Sequence, residues 1–171
     1  MISIRRERPV NMAAIRAVNE AAFGQTTEAD IVDALRNACP DLLSLVAESA
    51  GEIIGHILFS PVTVEDGSQY RHGMGLAPMA VMPDRQRQNI RSKLVEAGLE
   101  ILRERGCPFV VVLGHPEFYP RFGFVPASRY GLRCQWEGVS DAAFMVLVLD
   151  ELSMAGVSGI ARYREEFDVA M

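Results

Sequence analysis

Cysteine is scarce in this chain, and the three that occur, Cys39, Cys107 and Cys134, form no CxxC pair and show no metal-ligand spacing. That pattern argues against a disulfide framework and against a structural metal, and fits reduced thiols in the cytosol. Long apolar runs are missing too. No window reaches the ~20 residues that a membrane span needs, and MISIRRERPVNMAAIRAVNEAAF has no apolar block of secretory length. Basic residues are in the minority: 17 Lys and Arg against 22 Asp and Glu leave a formal net charge of −5. Broad binding to a nucleic-acid backbone needs the opposite balance. The chain is expected in the cytoplasm, with neither a membrane nor a nucleic acid as partner. What basic charge it has gathers locally, at Arg85, Arg87 and Arg91.

The 171 residues, 49% hydrophobic and 23% charged, suffice for one self-supporting core. Ile2 and Ile4 alternate with polar residues as in a short strand. Met12, Ile15, Val18 and Ala22 recur at helical spacing until Gly24, and a second helix is expected from Thr27, as its cap, through Ala38. Strands are expected over 42–48 and 53–64, joined by a turn at Ala50-Gly51, and again over 75–82. Pro83 ends the last of these. Ile90, Leu94, Ala97, Leu99, Ile101 and Leu102 then describe an amphipathic helix closed by Gly106. The apolar run 109–113 reads as a strand covered on both faces, a short helical turn fits 117–122, and 144–149 reads as the final strand. One domain over 1–171, with a mixed α/β sheet, is the expectation.

Two segments carry chemistry. The first is Met79-Ala80-Val81-Met82-Pro83-Asp84-Arg85-Gln86-Arg87-Gln88-Asn89-Ile90-Arg91-Ser92, a strand, a polar loop and a helix start. The unsatisfied amides and partial positive charge of a helix N-terminus suit a diphosphate, and three arginines add formal charge. A solvated arginine-rich loop reads equally well from these residues alone. The second segment, Leu113-Gly114-His115-Pro116-Glu117-Phe118-Tyr119-Pro120-Arg121-Phe122-Gly123-Phe124, follows the buried strand and presents a phenol, which can donate a proton while staying neutral near pH 7.

Together these segments resemble the GNAT superfamily of N-acetyltransferases, whose hallmark is a strand, then Q/R-x-x-G-x-G/A, then a long helix. Gln86 matches the first position, Ile90 the apolar residue between the glycines, and Ser92 the small polar residue that follows. Asn89 and Arg91 stand at the glycine positions. Tyr119, Gly123 and Phe124 match the family's Y-x-x-x-G-F. The sequels Pro126-Ala127-Ser128-Arg129-Tyr130-Gly131-Leu132 and Gly156-Val157-Ser158-Gly159, with Tyr163 and Glu166-Phe167, are similar to a bacterial subgroup of predicted acetyltransferases.

The resemblance implies a GNAT-like acyl-CoA N-acyltransferase fold, a central mixed sheet flanked by helices. It also implies acetyl-CoA as co-substrate and an amine as acceptor. Gln86, Arg87, Gln88, Asn89, Ile90, Arg91 and Ser92 would cradle the pyrophosphate. The backbone of Met79, Ala80 and Val81 would face the oxyanion, and Tyr119 would protonate the departing thiolate. His115, Glu117 and Glu20 are candidates for a base, and Phe23, Glu20 and Trp136 for the acceptor pocket. A second reading follows from Asn89 and Arg91: a non-catalytic acyl-CoA sensor or interaction domain with a degenerate loop. Self-association also stays open, because 144–149 is apolar enough to pair across a homodimer and core burial explains it equally.

Overall fold

The structure is a computed structural model and describes residues 1–171. Its strands are β1 (Ile2–Arg6), β2 (Leu43–Ser49), β3 (Glu52–Asp66), β4 (Gln69–Val81), β5 (Phe109–Leu113), β6 (Val125–Pro126), β7 (Leu132–Cys134), β8 (Phe144–Val148) and β9 (Gly159–Arg162). The helices are α1 (Met12–Phe23), α2 (Thr27–Ala38), α3 (Ile90–Glu104) and the single turn α4 (Glu151–Met154). The strands follow the hydrogen-bonded order β1-β2-β3-β4-β5-β8-β6, with β9 joining β3 to β7. The β4–β5 and β7–β9 pairs are parallel, which makes the sheet mixed, as expected. No helix is long and apolar enough to cross a membrane.

Residues divide into two compact units. One holds Met1–Phe59, Ala77–Ile101 and Glu166–Ala170; the other holds Ser60–Leu76 and Leu102–Glu165, and β3, β4 and α3 contribute to both. In the first unit β1 pairs with β2 from Ile2↔Ser49 to Arg6↔Leu45, and β2 pairs with β3 across a bulge at Ala47/Glu48. The hairpin between β2 and β3 turns at Ala50 (φ 50°) and Gly51 (φ 81°), the two positive values that a two-residue turn of matching twist requires. On α3, Ile90, Leu94, Val95, Leu99 and Leu102 form the buried stripe. Ile90 and Leu94 pack over Gly55 of β3. The helix ends as predicted: Gly106 donates to Arg103 and Cys107 to Leu102, with Gly106 left-handed at φ 76°.

α1 and α2 are tied by charge as well as by apolar contact. Arg16 reaches Glu20, Asp30 and Asp33 at 2.7–2.8 Å. Arg36 joins Asp33 to Glu7, just past the end of β1, at 3.0 Å to each. Inside this layer lies a fully buried histidine. Asn19 Nδ2 donates to His56 Nδ1 at 3.1 Å. The ring proton therefore sits on Nε2, which donates to Ser44 Oγ at 2.9 Å. Ser44 in turn donates to Glu7. Burial raises the Glu7 pKa, but its bonds from Arg36 and Ser44 and the Arg36 charge outweigh that, and the carboxyl ends below its ordinary value. The geometry gives His56 a structural role.

In the second unit β5 is hydrogen-bonded on both sides, to β4 over Met74–Leu76 and to β8 along its whole length. Several expectations need correction here. β4 begins at Gln69, not Gly75, because the β3–β4 hairpin extends its ladder into exposed polar residues beyond the core. The strand at 144–148 is not the last: β9 follows and pairs with β3 and β7. Short strands of mixed polarity such as β6, β7 and β9 carry no clean period of two, so pattern reading passes over them. β8 itself lies between β5 and β6, and core burial accounts for its apolar residues. α2 starts at Thr27 rather than being capped by it, and Thr26 before it makes no side-chain cap bond.

Burial holds the His56 pKa at about 4, against 6.5 for the free side chain. Between those values the unfolded chain binds the extra proton, so stability rises with pH across that window and is lost as pH falls from about 6.5 toward 4. The full effect is about 3 kcal/mol. Urea unfolding of wild type and His56→Gln from pH 4.5 to 7.5 should show a shallower pH slope in the variant; equal slopes would refute the assignment.

Candidate active site

The first candidate segment grows out of the end of β4. Met82 N–H donates to the Ile54 carbonyl at 2.9 Å, which ties the strand end to β3, and Arg85 N–H closes a 3-10 turn over 83–85 by donating to Met82 at 2.9 Å. Gln86 is extended. Arg87 and Asn89 then take left-handed conformations at φ 68° and 65°, a region that costs an ordinary side chain about 1–2 kcal/mol and Asn less. Ile90, buried at 2% exposure, pins the first turn of α3. The amide of Lys93 donates to the Asn89 carbonyl at 3.1 Å, at the first turn of α3. Gln86, Arg87, Gln88 and Asn89 are exposed, Arg91 is half-buried, and Ser92 is buried.

The two motif glycines can now be judged separately. Asn89 has the left-handed φ that the first would supply. Arg91 is the second residue of α3, and its φ is negative. No glycine conformation is needed there. Arg87, expected only as a charged residue of the loop, carries the additional left-handed turn.

The second candidate segment is built on β5. Its C-terminal neighbour Gly114 donates to the Ala143 carbonyl at 2.9 Å, and the ring of Tyr119 lies directly on its Cα. A Cβ at Gly114 would stand 2.5 Å from Cε2 of that ring. Tyr119 is 5% exposed and meets Phe118 and Phe124 edge-on, at centroid distances of 5.0 and 5.6 Å. The 3-10 turn Tyr119–Phe122 ends at Gly123, left-handed at φ 100°. Tyr163 arrives from just beyond β9. Its ring occupies the place of a Gly75 Cβ, its hydroxyl donates to the Val111 carbonyl at 3.4 Å, and Trp136 lies 5.3 Å from it.

The predicted residues thus fall into two sets. Met79–Val81 and Gln86–Ser92 belong to the first unit; Tyr119, Trp136 and Tyr163 belong to the second. Among the candidate bases, Glu20 is held by Arg16 at 2.7 Å. His115 and Glu117 are exposed, and the His115 carbonyl accepts the turn bond from Phe118. No group of three His, Cys, Asp or Glu side chains could hold a metal ion. A cavity of ≈ 310 Å³ in the first unit is walled by Glu7, Arg36, Ser44 and Leu58 among others, and none of the predicted site residues lines it. The contact of Tyr163 with β4 and β5 escaped pattern reading. Gly75 within a strand was its signal, since such a glycine often marks a close approach.

A mixed sheet whose β4 runs through an amide-presenting loop into α3, and whose β5 runs into a seated tyrosine, describes an acyl-CoA transferase scaffold. The family model for the acetyltransferase (GNAT) domain matches residues 3–127. The Escherichia coli K12 N-acetyltransferase YhbS is 38% identical over 166 residues, covering 96% of this chain and 98% of that protein. Its crystal structure in complex with CoA superposes with a TM-score of 0.91 over 98% of this chain and 92% of the other. A GNAT family acetyltransferase from Brucella melitensis, in complex with acetyl-CoA, is also 38% identical, with a TM-score of 0.80 over 98% and 99%. The chain belongs to the GNAT acetyltransferase family.

Two substitutions test the local geometry. Asn89→Gly should change stability by less than about 0.5 kcal/mol, whereas Asn89→Val should lower it by about 1–2 kcal/mol, because a β-branched residue resists the left-handed region. Gly114→Ala should lower it by about 1–3 kcal/mol through the clash with Tyr119. Urea denaturation of the three variants reads both effects; an Asn89→Val variant as stable as wild type would contradict the φ assigned to that position.

Proposed function

We propose that this chain transfers the acetyl group of acetyl-CoA directly to a primary amine. The segment Gln86–Ser92 holds the diphosphate of the co-substrate, and Tyr119 gives a proton to the thiolate as it leaves. The observation that carries the reading is the conformation of the loop. Arg87 and Asn89 are left-handed, and they turn the chain into the N-terminal, positive end of a 15-residue helix. The CoA and acetyl-CoA complexes of relatives 38% identical over nearly the whole chain support the choice of ligand.

The chemistry asks for a neutral amine, and an amine like that of lysine is neutral in about one molecule in a few thousand at pH 7. It asks for a proton at sulfur as the C–S bond breaks, and a phenol supplies one without being ionised beforehand. The backbone of Met79–Val81 is the proposed donor to the oxyanion of the tetrahedral intermediate. The alternative, a non-catalytic acyl-CoA sensor, drew on Asn89 and Arg91 in place of glycines. Since Asn89 has the φ a glycine would supply and Arg91 lies within α3, that motive loses its force.

Thermal unfolding with acetyl-CoA tests the first half of the proposal. At about 100 times Kd the co-substrate should add ~2.7 kcal/mol and raise Tm by roughly 5–10 °C. No shift at millimolar acetyl-CoA would turn the reading toward the degenerate loop. Tyr119→Phe tests the second half: the shift should persist while turnover of a primary-amine acceptor falls at least ~10-fold. Wild-type turnover in that variant would remove Tyr119 from the chemistry.

A further inference from the structure

Gly114 follows β5 directly, and its backbone is held. Its N–H donates to the Ala143 carbonyl at 2.9 Å, and the strand before it is paired with both β4 and β8. Its φ lies outside the left-handed region, so the backbone there suits alanine as well as glycine. What an alanine lacks is room. A Cβ would stand 2.5 Å from Cε2, 3.2 Å from Cδ2 and 3.4 Å from Cζ of Tyr119. Those three atoms include the carbon that carries the hydroxyl, so the glycine touches the reactive end of the ring.

Two further rings bound Tyr119. Phe118 meets it edge-on at 5.0 Å and 83°, and Phe124 at 5.6 Å and 70°. Phe124 is 2% exposed. Phe118 is kept in place by Phe122 at 5.2 Å and by the Arg121 guanidinium, 4.6 Å over its face. A ring that is 5% exposed and met edge-on by two neighbours has little freedom to turn about its own axis. A methyl group added at Gly114 is therefore relieved by moving the Tyr119 ring bodily. Carbon atoms pack at about 3.5–4.0 Å, so that retreat is about 1 Å or more.

We propose that Gly114 and Phe118 are positioning residues for Tyr119, fixing where its hydroxyl stands when the thiolate leaves. The inference rests on the general-acid reading of Tyr119. In that step the C–S bond breaks and the phenol proton passes to sulfur, forming an S–H bond. The phenolate then recovers the proton that the amine nitrogen sheds in becoming an amide. Transfer needs oxygen and sulfur within hydrogen-bond reach, and a misplacement of about 1 Å can cost on the order of 100-fold. Gly114 lets the phenol lie close against the exit of β5, and Phe118 limits its turning there.

With n-butylamine as acceptor, Gly114→Ala should lower kcat roughly 10-fold and leave KM for acetyl-CoA within about 2-fold of wild type. Phe118→Leu should lower kcat about 3-fold. The thermal shift with acetyl-CoA should persist in both and serves as the control for folding. Positioning is separated from packing by making the same two changes in Tyr119→Phe, which keeps the ring and its crowding but has no proton to place. There each should change kcat by less than about 2-fold. Wild-type kcat in Gly114→Ala, or an equal fold-change in the two backgrounds, would overturn the proposal. If Gly114→Ala does not fold, Phe118→Leu and its cycle decide by the same two criteria. Failure of the general-acid reading shows separately, as wild-type turnover in Tyr119→Phe itself.

Discussion

β5 is the strand on which the second unit depends. Its five residues are hydrogen-bonded to β8 along their full length and to β4 over three positions, and four of the five are buried. A strand paired on both sides has little freedom to shift, and it passes that rigidity to whatever is seated on it. Two aromatic rings are so seated. Tyr119 lies on Gly114 at its exit, and Tyr163 occupies the space over Gly75 on the neighbouring strand. Each takes a place that any side chain larger than hydrogen would fill. The positions of both phenols are therefore set by the absence of a Cβ as much as by any bond they make.

The loop that leads into α3 solves a different problem. It must turn sharply from strand into helix while staying attached to a core. Ile90, sunk over Gly55, and the bond from Met82 to Ile54 anchor its two ends. Between them the chain turns twice through the left-handed region at Arg87 and Asn89. These conformations cost an ordinary side chain about 1–3 kcal/mol, and they persist because the anchors leave the chain few alternatives. Arginine at the first of them, exposed, brings a positive charge close to the N-terminal end of α3.

α1 and α2 are positioned by a chain of polar contacts that crosses from surface to core, from Asn19 through His56, Ser44 and Glu7 to Arg36, Asp33 and Arg16. The outer ion pairs, partly exposed, each contribute at most about 1 kcal/mol. The inner members matter more by geometry than by energy. His56 accepts at one nitrogen and donates at the other, so only one tautomer satisfies both of its neighbours, and burial keeps it neutral.

Much of this architecture was already written in local pattern. The buried run 109–113, the stripe of α3, Gly106 at its end and the turn at Ala50-Gly51 appear where periodicity and turn chemistry place them, because each is dictated by neighbours within a few residues. The spacing Tyr119-x-x-x-Gly123-Phe124 and the loop Gln86–Ser92 were legible for the same reason. Other features depend on residues far apart in the chain and needed tertiary structure. The last strand pairs with β3 across almost a hundred residues, at Val64↔Ala161, and no period in 159–162 announces it. Whether Asn89 and Arg91 could stand where glycines are expected was a matter of φ, which sequence does not state. The fold makes one position left-handed and the other helical. The seat of Tyr163 over Gly75 likewise needs strand and tail brought together, and local pattern holds no information about that meeting.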